Sequence, residues 1–440
     1  MRILFFTQFY PPEVGATQTR MQHFAQRLVE NGHHVTVIAE MPNHPKGIIF
    51  EGYRSRLVQH TVEDGIEVIR IWVYTSPRKT FLRRMLFYNT YMLHAILAGF
   101  CLARGRYDVI FATSPPLPVV FSAYVVSRMK HCPFVMDVRD IWPAVGVVLG
   151  EIRGQAIIRG AEKLERFLYA KAAAVTCVTR RFVDDVIGKG ADAAKVSFLP
   201  NGTIPELFNP QHSNGEVRRK LGLEGKFVIG FCGNHGVAQG LPEILEAARL
   251  LRDRDEFRFL FVGEGPVKAH LLELKARDEL HNVLFLPQVP ISEIAPYINA
   301  ADIMLVPLRK DDIFTAFIPS KMFDFMACGK PIILGVDGEA RAILEASGGG
   351  VYVEPDNPQA LASALTALSG NAALLSDMGR RGREYDLQHY VRDQQVECLE
   401  EILAVVAKLS TSCRVVGLRS IANPTARPQQ EGKKSGEKNP

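Results

Sequence analysis

Cysteine is scarce and unpatterned in this 440-residue chain: Cys101, Cys132, Cys177, Cys232, Cys328, Cys398 and Cys413 are scattered, odd in number and contain no C-x-x-C pair. That excludes a disulfide framework, argues against a zinc site and fits a reducing cytosol. A strong charge imbalance is also absent. The 52 Lys plus Arg against 47 Asp plus Glu leave a net +5, too mild for a general nucleic-acid binder. No basic n-region followed by a long apolar run opens the chain. It starts directly on Ile3-Leu4-Phe5-Phe6, a strand pattern, so no secretory signal peptide is read. No short internal repeat is evident.

One absence is local. Between Glu67 and Asp108 there is no acidic residue, while Arg70, Arg78, Lys79, Arg83, Arg84, Arg104 and Arg106 bracket the uncharged run from Met85 to Ala103. The run is long enough to raise a transmembrane helix, but Asn89, Thr90 and His94 interrupt it and it falls inside an α/β pattern. Two readings remain: segment 78–106 docks as a basic-flanked helix on an anionic membrane surface, or it is a buried core helix.

What is present is an alternation of short apolar strands and amphipathic helices. Its length favours two domains, and the alternation predicts doubly wound parallel sheets covered on both faces. Strands are expected at Ile3–Phe6, Val35–Ala39, Val68–Trp72, Val109–Ala112, Phe134–Val138, Ala174–Val178 and Val196–Leu199. The periodicity then stops in the turn-rich stretch from Leu199 to Pro210, which marks a hinge. A second series follows at Phe227–Phe231, Phe259–Val262, Val283–Phe285, Ile303–Val306, Ile332–Leu334 and Gly350–Val353. The resulting division is a first domain over 1–203, a second over 204–390, a C-terminal helix over 391–412 and a disordered tail over 413–440, rich in Pro, Lys, Gly, Gln and Ser.

Ligands gather at the carboxyl ends of parallel strands, so the informative residues should follow strands. After the first strand, Gly15 and Ala16 let backbone approach a phosphate at a helix start. No G-x-G-x-x-G follows, and a small-residue loop alone is a weak signal. Arg139 and Asp140 follow the Phe134–Val138 strand, either as a loop-locking salt bridge or as site residues. The Gly-rich loop from Gly233 through Asn234, Gly236 and Gln239 to Gly240 could cradle a diphosphate with its N–H groups. His235 within it is ambiguous: a loop histidine with no partner visible in sequence is more often a surface or packing residue than a catalyst. The most telling stretch runs from Ile318 to Pro331. There Pro319 and Ser320 are placed to start and cap a helix, Lys321 adds a charge, and Asp324 can accept from the hydroxyls of a ribose. A plain capped helix ending at Gly329 is the competing reading.

Taken in order, these pieces carry a resemblance. The small-residue loop after strand one, Pro200-Asn201-Gly202 with Phe208-Asn209-Pro210, the loop at 233–240, Phe261-Val262-Gly263-Glu264-Gly265-Pro266, Asn282 to Leu286, Ala300-Ala301-Asp302 and Pro319-Ser320-Lys321 to Pro331 resemble the retaining GT-B glycosyltransferases of family 4. The likeness runs from Met1 to about Leu409. With Asp137-Val138-Arg139-Asp140-Ile141-Trp142-Pro143, it is nearest the branch that builds O-antigen, colanic acid and related surface polysaccharides. The resemblance implies two Rossmann-like domains facing across a cleft, the second holding a nucleotide sugar and the first the acceptor. It also implies metal-free retention of anomeric configuration with no cofactor, the leaving phosphate helping to take the acceptor proton. Donor binding would fall to Gly15, Ala16, Asn234, Gly236, Gln239, Gly263, Gly265, Val289, Ser320, Lys321 and Asp324, and catalysis to Arg139, Asp140 and Lys321.

The departures matter as much as the matches. Asp324 matches the family's second acidic residue, but the first, eight residues earlier, is Ala316. The family's diphosphate-binding Arg and Lys fall on neutral Asn234 and Gln239, which leaves Lys321 as the main cation of the second domain. Arg139 and Asp140 stand where many relatives carry a His-containing pair, placed to orient donor sugar or acceptor. The resemblance therefore implies an altered donor, with an N-acetyl or 6-deoxy sugar and UDP before GDP. The acceptor would be a polyprenyl-diphosphate-linked saccharide met by a cytoplasmic enzyme at the inner-membrane surface. A UDP-sugar 2-epimerase of the same architecture and a non-catalytic assembly partner are the alternatives.

Overall fold

The computed structural model describes residues 1–78, 80–150, 152, 154–212 and 215–411. Lys79 and the tail from Cys413 lie outside them. In the first half, β1 (Arg2–Phe6), β2 (His34–Glu40), β3 (Val58–Glu63), β4 (Ile66–Ile71), β5 (Val109–Ser114), β6 (Phe134–Val138), β7 (Ala174–Cys177) and β8 (Val196–Phe198) form one sheet. Its order is β3-β4-β2-β1-β5-β6-β7-β8. In the second half, β9 (Phe227–Cys232), β10 (Phe257–Val262), β11 (Val283–Leu286), β12 (Ile303–Pro307), β13 (Ile332–Gly335) and β14 (Gly350–Tyr352) pair in the order β11-β10-β9-β12-β13-β14.

Every pairing is parallel except that of β3 with β4. A parallel strand covered on both faces reads as an unbroken apolar run, and β5 is buried at all six positions. That is why these strands are visible in the sequence. β3 is not, because it is an edge strand whose alternate residues face solvent and whose sequence, Val58-Gln59-His60-Thr61-Val62-Glu63, is polar at four of its six positions.

Each sheet reverses its winding once, at β1/β5 and at β9/β12, and such crevices at the carboxyl ends of strands are where open sheets bind ligands. Two segments stitch the halves together. The helix Arg392–Thr411 leaves the second half and buries Val396, Leu399, Ile402, Leu403 and Val406 against Met21, Phe24 and Leu28 of the first. Its polar anchors are Asp393, which accepts from Arg27 at 2.9 Å and pairs with His23 at 2.7 Å, and Glu400, paired with His33 at 2.9 Å. In the other direction, the loop that ends in Ala316 enters the first half's core, and Phe317 meets the ring of Phe182 edge-on at 5.2 Å.

The helix Phe81–Cys101 has one face in the core, as the core reading expects, and one that is exposed. Tyr91, Ala95, Ala98 and Gly99 are buried, and the Tyr91 hydroxyl donates to the Thr7 carbonyl at 2.9 Å. Leu82, Leu86, Leu93, Leu97 and Phe100 are all more than half exposed. Among the described residues, no helix is long and apolar enough to cross a membrane, and each cysteine is free.

Because Leu403 is fully buried in the first half's core, Leu403→Ala should cost about 2 to 5 kcal/mol by chemical denaturation. Glu401→Ala, on the exposed face of the same helix, should stay within about 0.5 kcal/mol.

Candidate functional site

A cavity of about 360 Å³ lies between the carboxyl ends of the two sheets. The end of the loop after β1 supplies Gly15, and the first turn of the helix Ala16–Glu30 supplies Ala16 and Thr19, to one wall, and the loop after β2 supplies His44 and Pro45. The opposite wall comes from loops after β9, β10 and β11 and from the helix Lys321–Ala327, with Asn234, Gln239, Gly263, Val289, Ser320, Lys321 and Asp324. Nine of the eleven donor-binding residues named from sequence thus meet around one space. Gly236 and Gly265 do not line it. They let two loops pack: a Cβ on Gly265 would fall 2.4 Å from the His235 carbonyl oxygen, and one on Gly236 2.9 Å from Asn234 Nδ2.

The helix start differs from the expected anion reader. Ser320 has helical backbone angles (φ −57°, ψ −30°) and its side chain makes no capping hydrogen bond, since a capping hydroxyl needs an extended residue to turn back on the first amides. The amides of Met322 and Phe323 are already spent on the carbonyls of Pro319 and Ser320, at 2.9 and 3.2 Å. The positive field here belongs to the Lys321 side chain instead.

Lys321 Nζ donates to Gln239 Oε1 at 2.9 Å and sits 4.0 Å from the centroid of the Phe231 ring. Gly233, with φ +133°, leaves room for it: a Cβ there would lie 3.1 Å from Nζ. Gln239, the neutral replacement in the Gly-rich loop, therefore orients the cation it accompanies. No carboxylate pairs with Lys321 within 4 Å among the described residues, and burial pulls its pKa down to about 7. Asp324 is the opposite case. Burial raises its carboxyl to about 7, opposed by the Arg392 guanidinium and the Thr203 hydroxyl, and Oδ1 has no hydrogen-bond partner among the described residues.

Arg392 is the residue that sequence reading missed. It opens the returning C-terminal helix, is only 5 % exposed, lines the cavity and leaves Nη1 without a partner. Nε and Nη2 both donate to the Gly202 carbonyl, at 3.1 and 2.6 Å. Burial lowers its pKa to about 10, helped by repulsion from Arg20 and Arg139. Nothing local marks it. Its only signal is the sequence-distant return of the chain.

Arg139 and Asp140 lie outside the cavity wall. Arg139 reaches Thr17, in the first turn of the helix Ala16–Glu30, instead of pairing with Asp140, so among the described residues neither the loop-locking bridge nor a direct place on the cavity is seen. Burial raises the Asp140 carboxyl to about 6, against the pull of Arg139. The buried ion pair nearby is Arg20 with Asp137, at 3.3 Å, and Arg20 also donates to the carbonyls of Leu199 and Pro200 at the hinge. His235 is fully buried among Phe231, Phe261 and Phe285, with its pKa lowered to about 4 by burial and by Lys268 and Lys321. It is a packing residue and neutral. No group of three or more His, Cys, Asp or Glu residues able to hold a metal occurs among the described residues.

The chain matches two family models in succession, a glycosyl transferase 4-like domain over residues 15–202 and glycosyl transferases group 1 over 226–371. WcaI of Escherichia coli (strain K12), named as a colanic acid biosynthesis glycosyl transferase, is 26% identical over 397 residues, covering 88% of this chain and 95% of its own. WbjE of Pseudomonas aeruginosa, named as a glycosyltransferase, is 26% identical over 318 residues, 70% of this chain and 77% of its own. Among solved structures, Anabaena HepE in complex with UDP and glucose superposes with a TM-score of 0.70 at 18% identity, covering 92% of this chain and 99% of that one. The doubly wound halves, the cavity between them and the two successive domain matches agree: the protein is a glycosyltransferase of family 4 with the GT-B fold.

Proposed function

We propose that the protein transfers a sugar with retention of configuration, and without metal, from a UDP-linked donor to a polyprenyl-diphosphate-linked saccharide in surface polysaccharide synthesis. It would act in the cytoplasm, docked on the inner-membrane surface. The observation that carries the reading is a cavity between the domains walled by Lys321 and Arg392, two buried cations whose charge the surrounding carboxylates do not neutralise. Such a wall suits a diphosphate, and Asp324 beside it suits a ribose. The apolar side made by Val289, Ile291 and Ile294 suits a base. The names of WcaI, for colanic acid, and of HepE, seen with UDP, support the polysaccharide and nucleotide assignments.

In this reading the bond from the anomeric carbon to the diphosphate breaks while the acceptor hydroxyl attacks on the same face, and its proton passes to the leaving phosphate. The protein's share is to hold the growing negative charge near Lys321 and Arg392. Arg139 is one step removed, fixing Thr17 in the first turn of the helix that follows Gly15 and opens at Ala16. A donor with an N-acetyl or 6-deoxy sugar accords with Ala316, since that position is packed into the first domain's core and presents no carboxylate. The exposed apolar stripe of the Phe81–Cys101 helix, between arginines at both ends, is the surface for an anionic membrane.

Lys321→Ala and Arg392→Gln should each lower kcat/KM at least about tenfold, about 1.4 kcal/mol of barrier. Near-normal kinetics in either variant would remove that residue from the mechanism, and calorimetry showing no nucleotide diphosphate binding at all would favour a non-catalytic partner. Incubation with UDP sugars alone, yielding an isomerised sugar, would favour an epimerase.

The two perturbed groups also fix a pH dependence. Lys321 is a cation only below about pH 7, so affinity for a UDP sugar should fall as the pH rises above that point. Asp324 is a full acceptor only above about pH 7, so affinity should fall on the acid side as well. A bell centred near neutrality is expected, its alkaline limb lost in Lys321→Met and its acid limb in Asp324→Asn. A flat titration of the wild type would contradict this.

For membrane docking, Leu93→Gln combined with Leu97→Gln should abolish pelleting with phosphatidylglycerol liposomes while leaving UDP affinity unchanged. Undiminished pelleting would exclude the helix face.

A further inference from the structure

β3 borders the first sheet and pairs only with β4 among the described residues. Sheets usually blunt such a border with lysine, proline, a bulge or a covering segment, because a row of free amides and carbonyls invites another strand. Here the register runs from Val58↔Ile71 to Glu63↔Ile66 without a bulge, and no lysine or proline lies between Leu57 and Glu63. Val58, His60 and Val62 are exposed.

Which backbone groups are free follows from the ladder. The Trp72 amide donates to the Leu57 carbonyl at 2.9 Å, so the odd-numbered residues of β3 turn their amides and carbonyls toward β4. Those of Val58, His60 and Val62 therefore point away from the sheet, and they have no hydrogen-bond partner among the described residues. The side chains of these three share the face on which Ile69 and Ile71 pack with Tyr91 and Ala95 of the Phe81–Cys101 helix.

Such a strand is complementary to itself. Turned about a twofold axis normal to the sheet at His60, a second β3 runs antiparallel to the first. Val58 then meets the partner's Val62, His60 the partner's His60, and Val62 the partner's Val58. All three are residues whose free groups face outward, so each pair can exchange both of its hydrogen bonds. The valine pairs add β-branched contacts on one face. The same register sets Arg56 against the partner's Asp64, since the two lie equally far on either side of His60. Both are exposed, and the Asp64 carboxylate accepts only from the Gln26 amide, at 3.1 Å, among the described residues. Centring the pair on Thr61 instead would oppose Val58 to the turn residue Asp64 and separate Arg56 from it.

We propose that the β3 edge is an interface between two copies of this chain, an antiparallel β3–β3 pairing that joins their eight-stranded sheets into a twofold dimer. A contact built on one six-residue strand is small beside a typical specific interface, so the dimer is reversible and not obligate. The axis keeps the Phe81–Cys101 helices of both copies on one side of the joined sheet. It also directs the carboxyl ends of the two sets of parallel strands in opposite directions, which leaves both clefts open.

Sedimentation velocity of the full-length protein, from low to high micromolar concentration, should show a 49.0 kDa monomer giving way to a dimer. Val62→Lys should weaken association at least threefold. Val58→Lys/Val62→Lys, which sets lysine against lysine across the ladder, should weaken it at least tenfold. Both positions are exposed, and a circular-dichroism melt matching that of the wild type shows that the variants are folded. His60→Cys, at the axis, should form a disulfide-linked dimer on oxidation, above the background that exposed Cys101 gives in the wild type. It should do so at least tenfold faster than Thr61→Cys, whose two copies lie about 8 Å apart in this register. A wild type that stays monomeric throughout would overturn the proposal. So would a dimer that both lysine variants leave intact, which would place the interface elsewhere, or faster crosslinking through Thr61→Cys than through His60→Cys, which would refute the register.

Discussion

Uncompensated positive charge buried at one point governs this molecule. Lys321 and Arg392 line the space between the domains, Arg139 and Arg20 lie behind its wall close enough to repel Arg392, and burial lowers the proton affinity of Lys321, Arg392 and Arg139. Removing an ion from water costs several kcal/mol even after relaxation, so a cluster of this kind persists only if something else holds it together. Asp137 neutralises Arg20 and Asp324 partly offsets Arg392. The remaining charge is what the proposed function assigns to a nucleotide diphosphate.

The same cations are also the joints of the fold. Arg20 binds the carbonyls of Leu199 and Pro200, and Arg392 binds the carbonyl of Gly202, so two guanidinium groups clamp the hinge from opposite sides. A Cβ on Gly202 would fall 2.4 Å from the Tyr390 carbonyl oxygen, which shows how closely the returning chain passes the hinge. Charge that prepares the site for a ligand thereby also sets the relation of one domain to the other.

The Phe81–Cys101 helix illustrates how far a periodic apolar pattern can be read. Its sequence supported either a core helix or a surface helix, and the fold uses it as both: Tyr91, Ala95 and Gly99 are packed while Leu93 and Leu97 face outward. A helix apolar on most of its circumference cannot declare from sequence which side is covered, because that depends on where neighbours fall. Ser320 teaches the converse lesson. Its residue type suits a cap, but its backbone angle, set by the preceding loop, does not permit one.

What the sequence determined by itself is whatever depends on local periodicity and short spacing. Buried parallel strands must be apolar over several consecutive residues, and so all but the half-exposed β3 could be placed. Ligand chemistry is expected at the carboxyl ends of such strands, and Lys321, Asp324, Asn234 and Gln239, named on that ground and on family resemblance, are found lining one cavity. The tertiary structure alone decided which of these residues meet, that Gln239 serves Lys321, that Arg139 turns to Thr17, and that Arg392 enters the cavity from 68 residues beyond Asp324 in sequence. Those facts depend on a chain that returns across its own hinge, and long-range return leaves no period in the sequence. It is fixed only when the apolar face of the last helix finds the uncovered face of the first sheet.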